Sequence, residues 1–269
     1  MLPASSAKPE FPWWLAAALV LALVAALAIA ASDLYAQVFA TVAKGIGITI
    51  FVTVVSFALA SAIGLGIALM ALSGSQWLRQ IARFYVEIVR GVPILVLLFW
   101  IAFAGAPALV AAWNALTAPL QSAGMLSELL VRDLSLLWRA VMALTIGYSA
   151  FISEVFRAGI QAVEKGQIEA AKALGLTRGQ RFRLIVFPQA IRTILPPLGN
   201  DFVALVKDSS LVSVLGVADI TQIGKVYAAG SFRFFETYSI VAYIYLILTV
   251  GLSLSLRALE RRLRRQHEE

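Results

Sequence analysis

The chain has 269 residues, of which 61% are hydrophobic and 14% charged, which is too apolar for a water-soluble domain that must cover itself with a polar surface. Its net charge of +7 comes from Lys and Arg interleaved with apolar stretches instead of gathered on one soluble face, which argues against a nucleic-acid partner. The absence of Cys excludes a disulfide framework, thiolate metal ligands and a Cys nucleophile.

A helix that crosses the hydrocarbon core needs roughly 20 apolar residues, because its backbone groups must be satisfied within the helix. Six stretches reach that length, so the sequence predicts an all-α integral membrane protein with about six spans. The first is Trp13 to Ala31. Ala28-Ile29-Ala30 within it has the small-residue form of a signal-peptide cleavage site, but the stretch is long and the preceding segment, with Lys8 and Glu10, is not clearly basic. A retained helix is the expectation. The second span, Gly45 to Leu72, carries Ala60, Gly64, Ala62 and Gly66 at four-residue spacing, which allows helix backbones to approach closely in lipid.

The third span is Val92 to Leu109, followed by a moderately apolar segment from Trp113 to Val131 with Pro119 and Gly124. This segment reads equally as a packed cap or short interfacial helix and as a variable loop. The fourth span is Leu136 to Gly159, the fifth Pro197 to Ile220 and the sixth Tyr238 to Leu256. Lys207 and Asp208 then fall about ten residues, or roughly 15 Å, into the fifth span. Ionisable groups at such depth are costly and ordinarily face an aqueous path or a partner charge. Adjacent residues point about 100° apart on a helix, so these two do not pair with each other, and Ser209 and Ser210 extend the polar patch. Lys207, Asp208, Ser209 and Ser210 are candidates for the lining of a pathway or its gate, with a structural network as the equal alternative. Near the same helix's other end, Asp201 or Glu154 is placed to pair with Arg157. The single His267 sits in a charged tail and reads as a solvated residue.

Positively charged loops stay in the cytoplasm. Arg79, Arg83 and Arg90 follow the second span, Lys165, Lys172, Arg178, Arg181 and Arg183 follow the fourth, and Arg257, Arg261, Arg262, Arg264 and Arg265 follow the sixth. These are alternate connections, so both termini are expected in the cytoplasm.

The loop after the fourth span, about residues 160–190, reads as two short helices joined by a turn. Gly175 suits the left-handed residue that ends a helix, and Thr177 with Gln180 three residues on has the form of a capping box. Glu169 is expected in the first turn of the first helix, where it complements the dipole. The small Ala170, Ala171 and Ala173 allow that helix to lie against another protein; the plain alternative is an amphipathic connector.

The spacing of Glu169, Ala170, Ala171, Gly175, Ile185 and Pro188 resembles the EAA loop of binding-protein-dependent ABC importer permeases. Phe187 stands where Leu is usual before that Pro. Over most of the stretch from Gly45 to the C-terminus the chain also resembles the polar amino-acid subfamily, in Tyr85-Val86-Glu87-Ile88-Val89-Arg90-Gly91-Val92-Pro93, in Arg157 to Val163 with Gly166-Gln167, and in Lys207-Asp208-Ser209-Ser210-Leu211. Leu97 stands where the subfamily commonly has Gln, and Gly147-Tyr148-Ser149-Ala150 where it has an Asn-Ser-Ala stretch.

The resemblance implies a type I ABC importer transmembrane domain over residues 45–269, with five core helices, and an added N-terminal segment and helix over residues 1–44. It implies two permease subunits, alike or different, two cytoplasmic ABC ATPases, an external substrate-binding protein and a location in the cytoplasmic (inner) membrane. ATP and magnesium would be bound by the partner ATPase, since this chain has no G-x-x-x-x-G-K-[ST] loop and no cofactor site of its own. The implied cargo is a polar amino acid, or another small polar solute such as an opine, a quaternary amine or a sulfur amino acid. A secondary transporter would need inverted repeats, and a membrane enzyme would need an H-E-x-x-H, a Cys or paired carboxylates within one helix. Neither pattern is evident.

Overall fold

The computed structural model describes residues 13–265, which are helical with no strand among them. The helices are α1 (Trp13–Ala31), α2 (Asp33–Val42), α3 (Ile46–Ala71), α4 (Gln76–Gly91), α5 (Ile94–Trp100), α6 (Ala106–Ser122), α7 (Leu136–Gln161), α8 (Lys165–Ala173), α9 (Arg178–Arg181), α10 (Phe187–Asp208), α11 (Ile220–Ser231) and α12 (Phe234–Arg265). Four runs are long and apolar enough to cross a membrane: Asp33–Ala71, Ile94–Ser122, Leu136–Gln161 and Phe234–Ala258. The apolar α1 is shorter.

The central helix is α7, with 67% of its span buried against at most 33% for the other three. The α3 helix runs parallel to it. Phe51 meets Trp138 edge-on at 5.9 Å, the Ser56 hydroxyl donates to the Val141 carbonyl at 3.4 Å, and Gly64 abuts the backbone of Ser149 and Ser153. Of the small residues in α3, Ala60 and Gly64 are buried whereas Ala62 and Gly66 are exposed. Two helices run antiparallel on α7: Ile94 and Leu97 of α5 pack on Gly147, and Ile194 of α10 packs on Gly159. Leu98, Leu144, Ile152 and Leu205 are fully buried at the centre of these contacts.

The expected span from Pro197 to Ile220 is corrected. Its helix starts earlier, at Phe187, and ends at Asp208, where the chain tightens into a 3-10 turn over Ser209–Leu215 and reverses at Gly216 with φ +81. The Ser209 hydroxyl donates to the Val206 carbonyl at 2.8 Å, a local bond that competes with helix propagation. Arg192, Asp201, Lys207 and Asp208 also make α10 more polar than the other spans.

Two widened turns interrupt the helical runs, at Ile101–Gly105 and Phe182–Val186. Each precedes a proline by one residue, Pro107 and Pro188. Proline has no N–H and its ring clashes with the carbonyl four residues back, and a single wide turn relieves that clash. In the first, the Ala106 N–H reaches back to the Ile101 carbonyl, which strips the Ala102 carbonyl of its usual donor. The Arg139 guanidinium replaces it at 3.1 Å. The same guanidinium donates to the carbonyls of Leu134 at 2.8 Å and of Val131. Asn114 brackets Leu129, donating to its carbonyl at 2.8 Å and accepting from its N–H at 3.0 Å. The segment from Trp113 to Val131 is thus half helix and half extended return, held in place by these bonds while the return itself stays exposed.

Candidate functional site

The connection between α7 and α10 is ordered by its own chemistry. Helix α8 ends in a pair of bonds, Leu176 N–H to the Ala171 carbonyl at 3.1 Å and Gly175 N–H to the Lys172 carbonyl at 3.0 Å. This pairing places Gly175 at φ +77, where any side chain is strained. Thr177 and Gln180 cap each other: the Thr177 N–H donates to Gln180 Oε1 at 2.9 Å and Thr177 Oγ1 accepts from the Gln180 N–H at 3.4 Å. The helix this box starts is not a separate short one. It passes through the widened turn directly into α10.

Ala171 is buried against the body, while Glu169, Ala170 and Gly175 are exposed and Ile185 and Pro188 are half-buried. Glu169 is corrected: α8 starts at Lys165, so Glu169 lies in the second turn, beyond the unpaired N–H groups at the helix start. Beneath α8, Val163, Val186, Ala190 and Ile194 form a small apolar cluster, and the Gln189 amide of α10 donates to the Gln167 side chain of α8. The loop is therefore fastened to α10. Its outer tip is Leu174, 82% exposed, a residue sequence reasoning passed over. The available signal was an unburied leucine between a polar helix and its terminating glycine.

The second region is a cavity of about 550 Å3 between α4, α5, α7 and α10, within the range typical of small-molecule sites. Asp208 lines it and accepts a 2.8 Å bond from the Tyr148 hydroxyl. Tyr148 is midway along the 26-residue α7, so Asp208 lies near the middle of the bundle. Asp201 lines the same cavity, and its Oδ2 is buried without a hydrogen-bond partner. It does not pair with Arg157, which instead holds Glu154 at 2.6 Å and Gln161 at 2.6 Å.

Lys207 turns away, into a shallow groove against α12 beside Thr249, Ser253 and Arg257. Ser209 is buried and spent on the helix end, and Ser210 is half-buried. Of the four candidate pathway residues, the cavity takes only Asp208. It takes Leu97, Gly147 and Tyr148 as well, so three of the five positions where the sequence departs from its subfamily pattern converge on one space. Sequence reasoning missed that Asp201 and Asp208 share a face of α10, because the misplaced span boundary left Asp201 near a helix start.

Arg90 lines this cavity and also a neighbouring one of about 480 Å3, which opens toward the α8 end between Arg83, Glu87, Glu154 and Arg157. The Arg90 guanidinium lies 5.3 Å over the Phe151 ring. The two cavities share Arg90 and follow one another along α7, from the level of Tyr148 to that of Arg157. Nothing in the arrangement is suited to covalent chemistry; it offers binding and passage.

A probable amino-acid permease protein of Bacillus subtilis (strain 168), YxeN, is 35% identical over 212 residues, covering 79% of this chain and 86% of its own. The glutamine transport system permease protein GlnP of Escherichia coli (strain K12) is 36% identical over 221 residues, covering 82% and 92%. The crystal structure of an amino acid ABC transporter with histidines contains a chain that superposes with a TM-score of 0.68 at 36% identity, covering 85% of this chain and 95% of that one. Residues 60–265 match the family described as the binding-protein-dependent transport system inner membrane component, and with the α8 loop, the buried α7 and the mid-bundle cavity in place, the chain belongs to that family of membrane-spanning permease subunits.

Proposed function

We propose that this chain pairs with a second permease subunit to carry polar amino acids inward through the cavity holding Asp201 and Asp208. Cytoplasmic ATPases drive it through α8, and an external binding protein delivers the cargo. The observation that carries the reading is mechanical. Helix α10 is one continuous helix of roughly 30 Å with Pro196 and Pro197 inside it, fastened to α8 at one end by the Gln167–Gln189 bond and the apolar cluster, and carrying Asp208 at the other. A displacement of α8 by a closing ATPase therefore moves one wall of the cavity. Rigid-body motion of packed elements of this kind opens a central site alternately to the two sides. Amino acids as cargo rest on the names of the relatives and on a cavity in which both signs of charge face a zwitterion.

The test is uptake by proteoliposomes holding the permease, its ATPase and its binding protein. Labelled amino acid should accumulate only with ATP, and Gly175→Val, which strains the α8 terminus without touching the cavity, should lower uptake about tenfold or more. Uptake driven by an ion gradient without ATPase would overturn the proposal.

A further inference from the structure

The cavity of about 480 Å3 lies where two spans end. Ala68 and Ala71 of α3 and the stretch of α7 from Ser153 to Gln161 line it, together with one face of α4. The span Asp33–Ala71 stops at the first of these and the span Leu136–Gln161 at the second, so the cavity sits at the depth of lipid headgroups. Its walls carry four guanidiniums, from Arg79, Arg83, Arg90 and Arg157, against the two carboxylates of Glu87 and Glu154, an excess of two positive charges.

The four guanidiniums are unequally committed. Arg157 holds Glu154 and Gln161, each at 2.6 Å, and Arg90 lies over Phe151. Arg79 donates through a single nitrogen to the carbonyls of Ser73 and Gly74, each at 2.9 Å, which leaves the rest of its fork unspent. Among the described residues Arg83 makes no hydrogen bond and no ion pair. Four residues apart on α4, Arg79 and Arg83 share one face.

Another side of α4 is apolar. Trp77, Ile81, Phe84 and Ile88 recur there at helical spacing and are exposed, so the helix meets lipid along one side and lines a cationic cavity with another. A basic pocket between helices at the membrane boundary is suited to an anionic headgroup. We propose that this cavity holds the headgroup of an anionic phospholipid, with its phosphate oxygens bound by the forks of Arg79 and Arg83. Guanidinium matches phosphate in charge and in two-pronged geometry. A headgroup with two phosphates, of the cardiolipin class, cancels the charge excess, whereas a zwitterionic one brings a further cation and leaves the excess in place. Free phosphate shares the recognition chemistry but has no acyl chains to lie where α4 meets lipid. The inference requires only that the chain spans a membrane, and not the reading of the Asp208 cavity.

The complex assembled with its ATPase and stripped of lipid in mild detergent is titrated with cardiolipin, phosphatidylcholine and inorganic phosphate, and native mass spectrometry reads what stays bound. Cardiolipin should bind about tenfold more tightly than phosphatidylcholine, the difference expected from one charge-assisted hydrogen bond. Arg83→Gln should remove most of that preference. Arg178→Gln deletes a charge at the same end of the molecule, on the exposed loop, and should keep it. If Arg83→Gln does not assemble, Gln80→Glu adds a carboxylate to the cavity wall without removing an arginine, and should weaken cardiolipin binding about tenfold. Equal binding of the zwitterionic lipid, or equal losses in Arg83→Gln and Arg178→Gln, would mean diffuse attraction and overturn the site. Displacement of cardiolipin by inorganic phosphate at similar concentration would assign the cavity to a soluble anion and overturn the lipid.

Discussion

Glycine in helical backbone costs roughly 0.5–1 kcal/mol relative to alanine, so Gly45, in the 3-10 turn that joins α2 to α3, has a packing reason. A Cβ on Gly45 would lie 2.7 Å from the Asp219 carbonyl oxygen and closer still to the Ile220 nitrogen, whereas one on Gly66 would meet nothing. Ile220 is also tethered there, its N–H donating to the Thr49 hydroxyl at 3.3 Å, so the backbone at Asp219 has little room to retreat. Gly45→Ala should therefore destabilise the protein by about 1–3 kcal/mol, and Gly66→Ala should leave it unchanged or gain up to about 1 kcal/mol. Thermal unfolding midpoints in detergent compare the two; equal midpoints would contradict the packing. At this scale the sequence was only half legible. Four-residue spacing in α3 exposed two interleaved sets of small residues without showing that Ala60 and Gly64, and not Ala62 and Gly66, face α7. Likewise, Lys207 and Asp208 were identifiable as costly charges. Which of them faced a cavity depended on the rotational setting of α10, which its packing against α7, α12 and α3 determines.

Among the elements, the widened turns show how a sequence signal can be present and still go unread. Pro107 and Pro188 were visible, but their effect lies in the preceding turn, and its consequence for Ala102 appears only when Arg139 arrives from another helix. Arg139 makes three bonds to three carbonyls in two separate segments, a fork that an ammonium cannot reproduce. Arg139→Lys should free the return segment. Trypsin cleavage after the exposed Arg132 should accelerate about tenfold or more, since losing one or two charge-assisted bonds amounts to at least about 1.5 kcal/mol of local opening. An unchanged cleavage rate would mean that Asn114 alone holds the cap. Apolar length located α1, α3 and α7 to within a few residues, because a lipid-spanning helix must be continuous, whereas α12 runs nine residues past the expected Leu256 into its charged end. It failed for Pro197 to Ile220, where the apolar Leu211–Ile220 stretch extended the pattern past Asp208 although the backbone had already left the helix.

For the whole molecule, function depends on which end faces which compartment, and charge distribution carries that argument. Arg79, Arg83, Lys165, Lys172 and Arg178 gather at the end that holds α8, while the opposite connections carry Arg132, Lys225 and Arg233 among more neutral residues. Retention of basic loops predicts that α8 faces the cytoplasm, where ATP is available, and that the segment held by Arg139 faces outward, where the proposed binding protein would dock. The absence of native Cys makes this directly measurable with one thiol at a time. Leu174→Cys at the exposed tip of the α8 loop and Ser127→Cys in the exposed return segment lie at opposite ends. A membrane-impermeant maleimide applied to intact cells or spheroplasts should label the Ser127→Cys protein at once, and the Leu174→Cys protein only after permeabilisation. Addition of the ATPase should then shield the thiol at the loop tip and not the one in the return segment, because Leu174 projects from the surface that α8 offers. Labelling of the loop-tip thiol from outside would invert the topology, leave the α8 loop on the wrong side for ATP-driven import, and require the coupling through α10 to be abandoned.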